Sequence, residues 1–275
     1  MRTIAHISDI HFGRIDPLIA EGLLADLSGR NPSLLVASGD LTQRARGWQY
    51  SEAAEFLRKL PKPQLVVPGN HDVPLYDITR RIFAPLQLYS RHITSDLNPI
   101  YRDDEIIVIG LNTARAFSWR LRGFWKDGKV SSDQLRDLQR QLQGLPATQS
   151  KIVVTHHPFI PAPGEDPADV VHGAGPALAV MEQCGVDLLL AGHLHVGYSG
   201  DVTSHYHAIK RSILSVQAGT ATSTRRRGMP NAYNWITIRG PDDLTIEVRA
   251  WDGSRFATST NAQYSRKNGA WQQQQ

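Results

Sequence analysis

The sequence predicts an α/β layered domain, and three observations carry that expectation. Short apolar runs alternate with helix-like stretches through the first 195 residues. Nearly every one of those runs ends in an Asp, Asn or His side chain. After about Gly200 the rhythm changes to strands with no helices between them. The 275 residues are read as one domain over 1–267, with an α/β part at 1–199, a β-rich part at 200–267 and a frayed polar tail at 268–275.

The expected strands of the first part are 3–8, 34–38, 64–68, 106–111, 151–155 and 186–191, each apolar enough to be buried on both faces. Helical patterns fall between them at 18–27, 49–60, 132–142 and 176–184. Ser132-Asp-Gln-Leu reads as a helix start, because short polar side chains satisfy the free backbone donors there. Residues 158–176, rich in Pro, Gly and Asp, read as a long loop. The later strands, at 212–217, 232–238 and 244–251, are expected to pair antiparallel and close a second sheet.

Composition narrows the function classes. Hydrophobic residues make up 41% and charged residues 20%, which suits a folded chain and gives no support to disorder. No apolar run approaches the roughly 18 to 20 residues that cross a bilayer, and the opening Met1-Arg-Thr-Ile-Ala-His lacks the apolar stretch of a signal peptide, so a cytoplasmic location is expected. The single cysteine, Cys184, has no internal disulfide partner and reads as a packed thiol at a helix end. Net charge is +4, with basic clusters at Arg225-Arg226-Arg227 and among the aromatics of 117–126. Arginine's planar fork fits phosphate oxygens, and a solvated surface is the plainer reading of either cluster.

The strand ends hold the chemistry. The first run delivers Asp9 and His11, the second Asp40, the third Asn70, His71 and Asp72, the fifth His156 and His157, and the sixth His193 and His195. Ligands of open α/β sheets gather outside the carboxyl ends of strands, so these groups can converge on one edge. Carboxylate, amide and imidazole donors suit Mn, Fe or Zn, and the absence of thiolates argues against a structural zinc site. Seven candidate ligands exceed one ion's needs and serve two if a carboxylate bridges them; two ions roughly 3.5 to 4 Å apart can clamp both oxygens of a phosphoryl displacement.

The ordered set Asp9-x-His11, Gly39-Asp40, Gly69-Asn70-His71-Asp72, His156 and Gly192-His193-x-His195 resembles the signature of the calcineurin-like metallophosphoesterase superfamily. The resemblance spans roughly Ile4 to His195, and Ser38-Gly-Asp-Leu with Gly69-Asn-His-Asp looks like the bacterial branch containing cyclic-nucleotide phosphodiesterases and glycerophosphodiesterases. It implies two mixed β-sheets packed as a sandwich and flanked by helices. It also implies Asp9, His11, Asp40 and His195 on one metal, and Asp40, Asn70, His156 and His193 on a second, with Asp40 as the bridge. His71 would protonate the leaving alkoxide or steady charge on the phosphate, and Asp72 would either orient it or cap the following turn. His157 is left outside the metal shell.

The implied reaction is hydrolysis of a phosphate ester by a water activated between the two ions, without a covalent intermediate. Monoesterases of the superfamily carry arginines in patterns such as Gly-Asp-x-x-Asp-Arg-Gly. Here Gly39-Asp40-Leu-Thr-Gln-Arg44 breaks that pattern, so a diester is expected over a monoester. A 3′,5′-cyclic nucleotide, a phospholipid or glycerophosphodiester, and a nucleotide sugar stay open; nucleic acid is not expected. Arg44, Arg225 and Arg226 are candidate substrate contacts, and the segment from Gly219 to Asn234 is expected to fold back beside the metal edge. Stretch 117–126 offers a peripheral membrane contact, and a homodimer and a catalytically silent scaffold complete the alternatives.

Overall fold

The computed structural model describes residues 1–117, 126–164 and 169–274. Its elements begin with β1 (Arg2–Ile7), α1 (Pro17–Arg30), β2 (Leu34–Ser38), α2 (Gly47–Lys59), β3 (Gln64–Val67), α3 (Ile78–Phe83) and α4 (Gln87–His92). Next come β4 (Ile100–Arg102), β5 (Ile106–Gly110), α5 (Ser132–Leu142), β6 (Ser150–Val154), α6 (Ala174–Gln183), β7 (Leu188–Ala191) and β8 (Tyr198–Asp201). The chain closes with β9 (Leu214–Gln217), β10 (Ala232–Gly240), β11 (Asp243–Trp251), β12 (Phe256–Lys267) and β13 (Ala270–Gln273).

These strands form two mixed sheets, ordered β13-β12-β11-β10-β1-β2-β3 and β4-β5-β6-β7-β9-β8. Strand alternation explains why the runs look apolar on both faces. Ile4, Leu34, Val36, Leu65 and Val67 of the first sheet meet Ile106, Val108, Ile152, Val154, Leu188 and Leu190 of the second between the sheets. The intervening residues point outward instead, Ala5, Leu35 and Val66 into a core with α1, α2 and α4, and Ile107, Val153 and Leu189 into one with α5 and α6. Each fully buried Leu or Ile contributes about 1.5–3 kcal/mol, so a sandwich with a helical layer on each face is what this pattern favours.

Local chemistry sets the helix ends. Asp16 accepts from the amides of Leu18 and Ile19 while Pro17 takes the first helical position, which starts α1. For α5, Ser131 and Gln134 cap each other reciprocally. Inside the sandwich Asn234 Nδ2 lies 3.4 Å from His6 Nδ1, and His6 Nε2 lies 2.9 Å from Ser38 Oγ. This buried polar thread joins β10, β1 and β2 directly beneath the loops that follow β1 and β2.

Three expectations change here. The late strands do not close a sheet of their own: β10 pairs antiparallel with β1, while β9 runs parallel to β7. The sheet edge of β1 left open by β2 needs a partner, and β10 supplies it. The tail is not frayed over 270–273, where β13 pairs with β12 and buries Trp271 to 7% exposure. One apolar anchor and a paired backbone hold this Gln-rich strand. Of the loop read at 158–176, residues 165–168 lie outside the described residues, and α6 begins within it at Ala174. No described helix is long and apolar enough to cross a membrane.

Candidate metal centre

Strand ends β1, β2, β3, β6 and β7 bring all seven sequence-predicted ligands to one edge. Asp9 (φ 54°), His11 (φ 55°), Asp40 (φ 53°), His193 (φ 75°) and His195 (φ 59°) all adopt the left-handed backbone that L residues avoid. Such a residue costs on the order of 1–3 kcal/mol and persists only where its surroundings over-determine it. The surroundings do so here, through Asp9 N to Gly39 O at 3.1 Å, His11 N to Asp40 O at 3.0 Å and Gly192 N to His156 O at 3.0 Å. Glycine is needed where the loops touch: a Cβ on Gly69 would fall 2.1 Å from Asp40 Oδ1, and one on Gly192 1.8 Å from Ser8 Oγ.

Around Asp9 Oδ1 stand His11 Nε2 and His195 Nε2, each at 3.5 Å. The other oxygen, Oδ2, accepts from Ser8 Oγ at 2.7 Å and the His193 amide at 3.0 Å, which aims Oδ1 at the two rings. A second group gathers at Asn70 Oδ1, with His193 Nδ1 at 3.0 Å and His156 Nε2 at 3.1 Å. Asp40 joins the groups, its Oδ2 lying 3.7 Å from His11 Nε2 and its Oδ1 3.4 Å from His156 Nε2. Ligand atoms around one small cation, each about 2.0–2.2 Å from it, stand apart by similar distances.

The electrostatics point the same way. Asp9 Oδ1 and His11 Nε2 are buried without a hydrogen-bond partner, an arrangement that costs about 1–3 kcal/mol per group unless something else meets them. Burial works to raise Asp9, and His195, His11 and His156 beside it outweigh this to hold it well below the usual carboxylate range. Burial, with Asp9 and Asp72 adding to it, pushes Asp40 well above that range. His156 is lowered by burial, and its Nδ1 lies 2.8 Å from the Ser38 carbonyl, which keeps that nitrogen protonated and Nε2 open to the centre. Oxygen and nitrogen donors, two carboxylates, no thiolate and orphaned atoms aimed inward fit a pair of small cations.

Groups of His and Asp donors lying within 4.8 Å of one another include Asp9, His11, Asp40, His156, His193 and His195 and two further histidines, His71 and His157. His157 is spoken for: Nδ1 meets Thr113 Oγ1 at 2.8 Å and Nε2 meets the Lys126 carbonyl at 2.7 Å. His71 Nδ1 meets the Gln43 carbonyl at 2.9 Å, so its Nε2 faces the cleft, 4.0 Å from Asp40 Oδ2 and 2.9 Å from Arg225 Nη1.

Asp72 does not orient His71. Its carboxylate takes the amides of Leu41, Thr42 and Gly69 and the Thr42 hydroxyl, at 2.9 to 3.1 Å. It ties the loops after β2 and β3 together and caps no following turn among the described residues, so neither expected role is the one seen, and the partner of His71 is a backbone carbonyl that no sequence pattern displays. Of the three substrate candidates only Arg225 reaches the cleft, which Lys126, Asp169 and Arg227 also line. Arg226 pairs with Asp16 at 3.4 Å, and the guanidinium of Arg44 sits 5.6 Å over the Tyr76 ring. In the aromatic and basic stretch, residues 118–125 lie outside the described residues; Phe117 is half exposed.

A relative from Synechococcus sp., named probable cyclic nucleotide phosphodiesterase, is 25% identical over 71% of this chain and 74% of its own length. A glycerophosphodiester phosphodiesterase from Enterobacter lignolyticus is 36% identical over a shorter stretch, 25% of this chain and 29% of the relative. In fold, the chain is similar to a dimetal phosphatase from Danio rerio, with a TM-score of 0.63 at 13% identity, covering 90% of this chain and 96% of the other. The family model described as calcineurin-like phosphoesterase matches residues 2–197, from β1 through the last histidine at the edge. On that match the chain belongs to the calcineurin-like phosphoesterase family and is a metal-dependent phosphoric ester hydrolase.

Proposed function

We propose that the chain hydrolyses a phosphodiester, with Asp9, His11, Asp40 and His195 holding one metal ion and Asp40, Asn70, His156 and His193 the other. The observation that carries this reading is the division of Asp40, whose two oxygens face His11 at 3.7 Å and His156 at 3.4 Å. When bound, the two ions supply Lewis acidity to the phosphate oxygens and make a water acidic enough to ionise near neutral pH.

The chain's own residues supply position and protons. Asp40 fixes the spacing of the two donor groups, and Asp72 fixes the loops that carry Asp40 and Asn70 by accepting four hydrogen bonds from them. His71 presents Nε2 at the cleft; because Nδ1–H is held by the Gln43 carbonyl, it would give a proton to the leaving oxygen only as the imidazolium, with both ring nitrogens protonated. Arg225, on the same nitrogen at 2.9 Å, is placed to take a phosphate oxygen through its fork. His157 anchors Lys126 at the cleft wall through the lysine's carbonyl.

A diester is favoured because Arg44, the arginine nearest the Asp40 motif, stacks on Tyr76 and does not line the cleft that a dianionic monoester would enter. A 3′,5′-cyclic nucleotide is the first choice, in keeping with the Synechococcus relative's name, and the Enterobacter relative's name keeps glycerophosphodiesters beside it. The test is a panel assay on protein loaded with Mn: cyclic nucleotides, glycerophosphodiesters and a chromogenic bis-aryl phosphate against the corresponding aryl monoester. The diesters are expected to exceed the monoester in kcat/KM by at least about tenfold. A preference for the monoester, or turnover indifferent to metal, overturns the reading.

A further inference from the structure

The site histidines are not all held the same way. His156 turns Nδ1 to the Ser38 carbonyl, His71 turns Nδ1 to the Gln43 carbonyl, and His157 turns Nε2 to the Lys126 carbonyl. Backbone carbonyls hold these three, and no side-chain replacement on the partner removes them. His195, unlike these three, meets no backbone carbonyl of the described residues with its ring. Its Nδ1 lies 2.5 Å from the side-chain hydroxyl of Thr220, which is 3% exposed.

We infer that Thr220 is a positioning residue for His195: its hydroxyl oxygen accepts the Nδ1–H, which fixes the ring tautomer and leaves the Nε2 lone pair aimed beside Asp9 Oδ1. The inference rests on the proposed dinuclear reading. Geometry supports it on both sides of the ring, since His195 Nε2 is 3.5 Å from Asp9 Oδ1 while Nδ1 meets Thr220. An imidazole carries one proton when neutral, and a partner that takes it from one nitrogen presents the other as the donor to a cation.

Thr220 lies beyond residues 2–197, the part matched by the family model, yet its loop is stitched to the centre on both sides. Ala218 N donates to Ala191 O at 2.8 Å, Ala221 N to Ser8 O at 3.0 Å, and Thr222 Oγ1 to Ile10 O at 3.0 Å. Asn231 Nδ2 and the Ala232 amide hold the Thr220 carbonyl at 3.3 and 3.0 Å. The hydroxyl therefore meets the ring on a fixed backbone. The same loop carries Arg225, so one segment would orient a metal ligand at its base and contact substrate at its tip.

The test uses metal binding, which is read whether or not any ester is turned over. Thr220→Val keeps the side chain's shape and removes the acceptor; Thr220→Ser keeps the acceptor. Titration of the metal-free proteins with Mn, followed by metal analysis, should show one of two ions bound about 10 to 100-fold more weakly in Thr220→Val. The other ion, and both ions in Thr220→Ser, should stay within about threefold of the parent. Undiminished affinity in Thr220→Val, equal weakening of both ions, or the same loss in Thr220→Ser overturns the inference. Should Thr220→Val fail to fold, ring ¹⁵N shifts of His195 in the unsubstituted metal-free protein decide: a proton on Nδ1 supports the assignment and one on Nε2 defeats it. If no pair of ions binds the parent at all, the dinuclear reading itself fails, a result distinct from either.

Discussion

Two buried carboxylate sites, one just before β7 in the second sheet and the other just past β1 and β2 in the first, are neutralised in different ways. Asp187 immediately precedes β7 and accepts from Arg211 Nη2 and Arg266 Nη2, both at 2.7 Å, and from the Lys151 amide at 3.0 Å. Past the carboxyl ends of β1 and β2, Asp9 and Asp40 are as deeply buried, yet their close neighbours are histidine nitrogens, backbone amides and the Ser8 hydroxyl. Where arginines close the charge internally, the site is structural. Where the neighbours are imidazoles with lone pairs turned inward, the arrangement is suited to a cation as the compensating charge.

The largest effect should come from removing the shared carboxylate. Asp40→Asn is expected to lower turnover by about a thousandfold and to lose bound metal with it, checked by hydrolysis assay and metal analysis on the same sample. Full metal content at a normal rate would break the contrast. Next, Arg266→Met should cost about 3 kcal/mol in denaturant unfolding by leaving Asp187 poorly compensated, while Mn affinity stays unchanged. Altered metal binding in that variant would show that the two sites are not independent. The smallest effect belongs to the cleft wall: Arg225→Ala should raise KM for an anionic diester about tenfold with little change in kcat, and Arg226→Ala should change neither. Equal behaviour of the two variants would assign the whole triplet to plain surface.

The contrast also explains what could be read in advance. The strands through residue 191 other than β4 were legible because each is a mostly buried apolar run, and the candidate ligand positions because each follows such a strand; β4, β8, β12 and β13, largely part-buried or exposed, carry no such signal. Partner choice was not legible, since β10 reaches β1 from more than 200 residues away, pairing Trp235 with Ala5, and no local pattern encodes that contact. Gln272 and Gln273 look like disorder because β13 is an edge strand, anchored chiefly by Trp271. Asp72 was ambiguous because the amides of Leu41, Thr42 and Gly69 that claim it are invisible in a list of side chains. Charge alone marked the Arg225-Arg226-Arg227 triplet, and only the path of the loop separates the arginine at His71 from the one at Asp16.

The left-handed backbone at the ligand positions governs how this edge can be dissected. Asparagine and aspartate tolerate that conformation better than other L residues, and glycine accepts it freely, whereas alanine and β-branched residues resist it. An alanine scan across Asp9, His11, Asp40, His193 and His195 would therefore mix loss of a donor atom with collapse of the turn that displays it. Replacing Asp by Asn removes the charge and His by Gly removes the donor atom while leaving the turn its preferred torsion, so each chemical change can be read by itself.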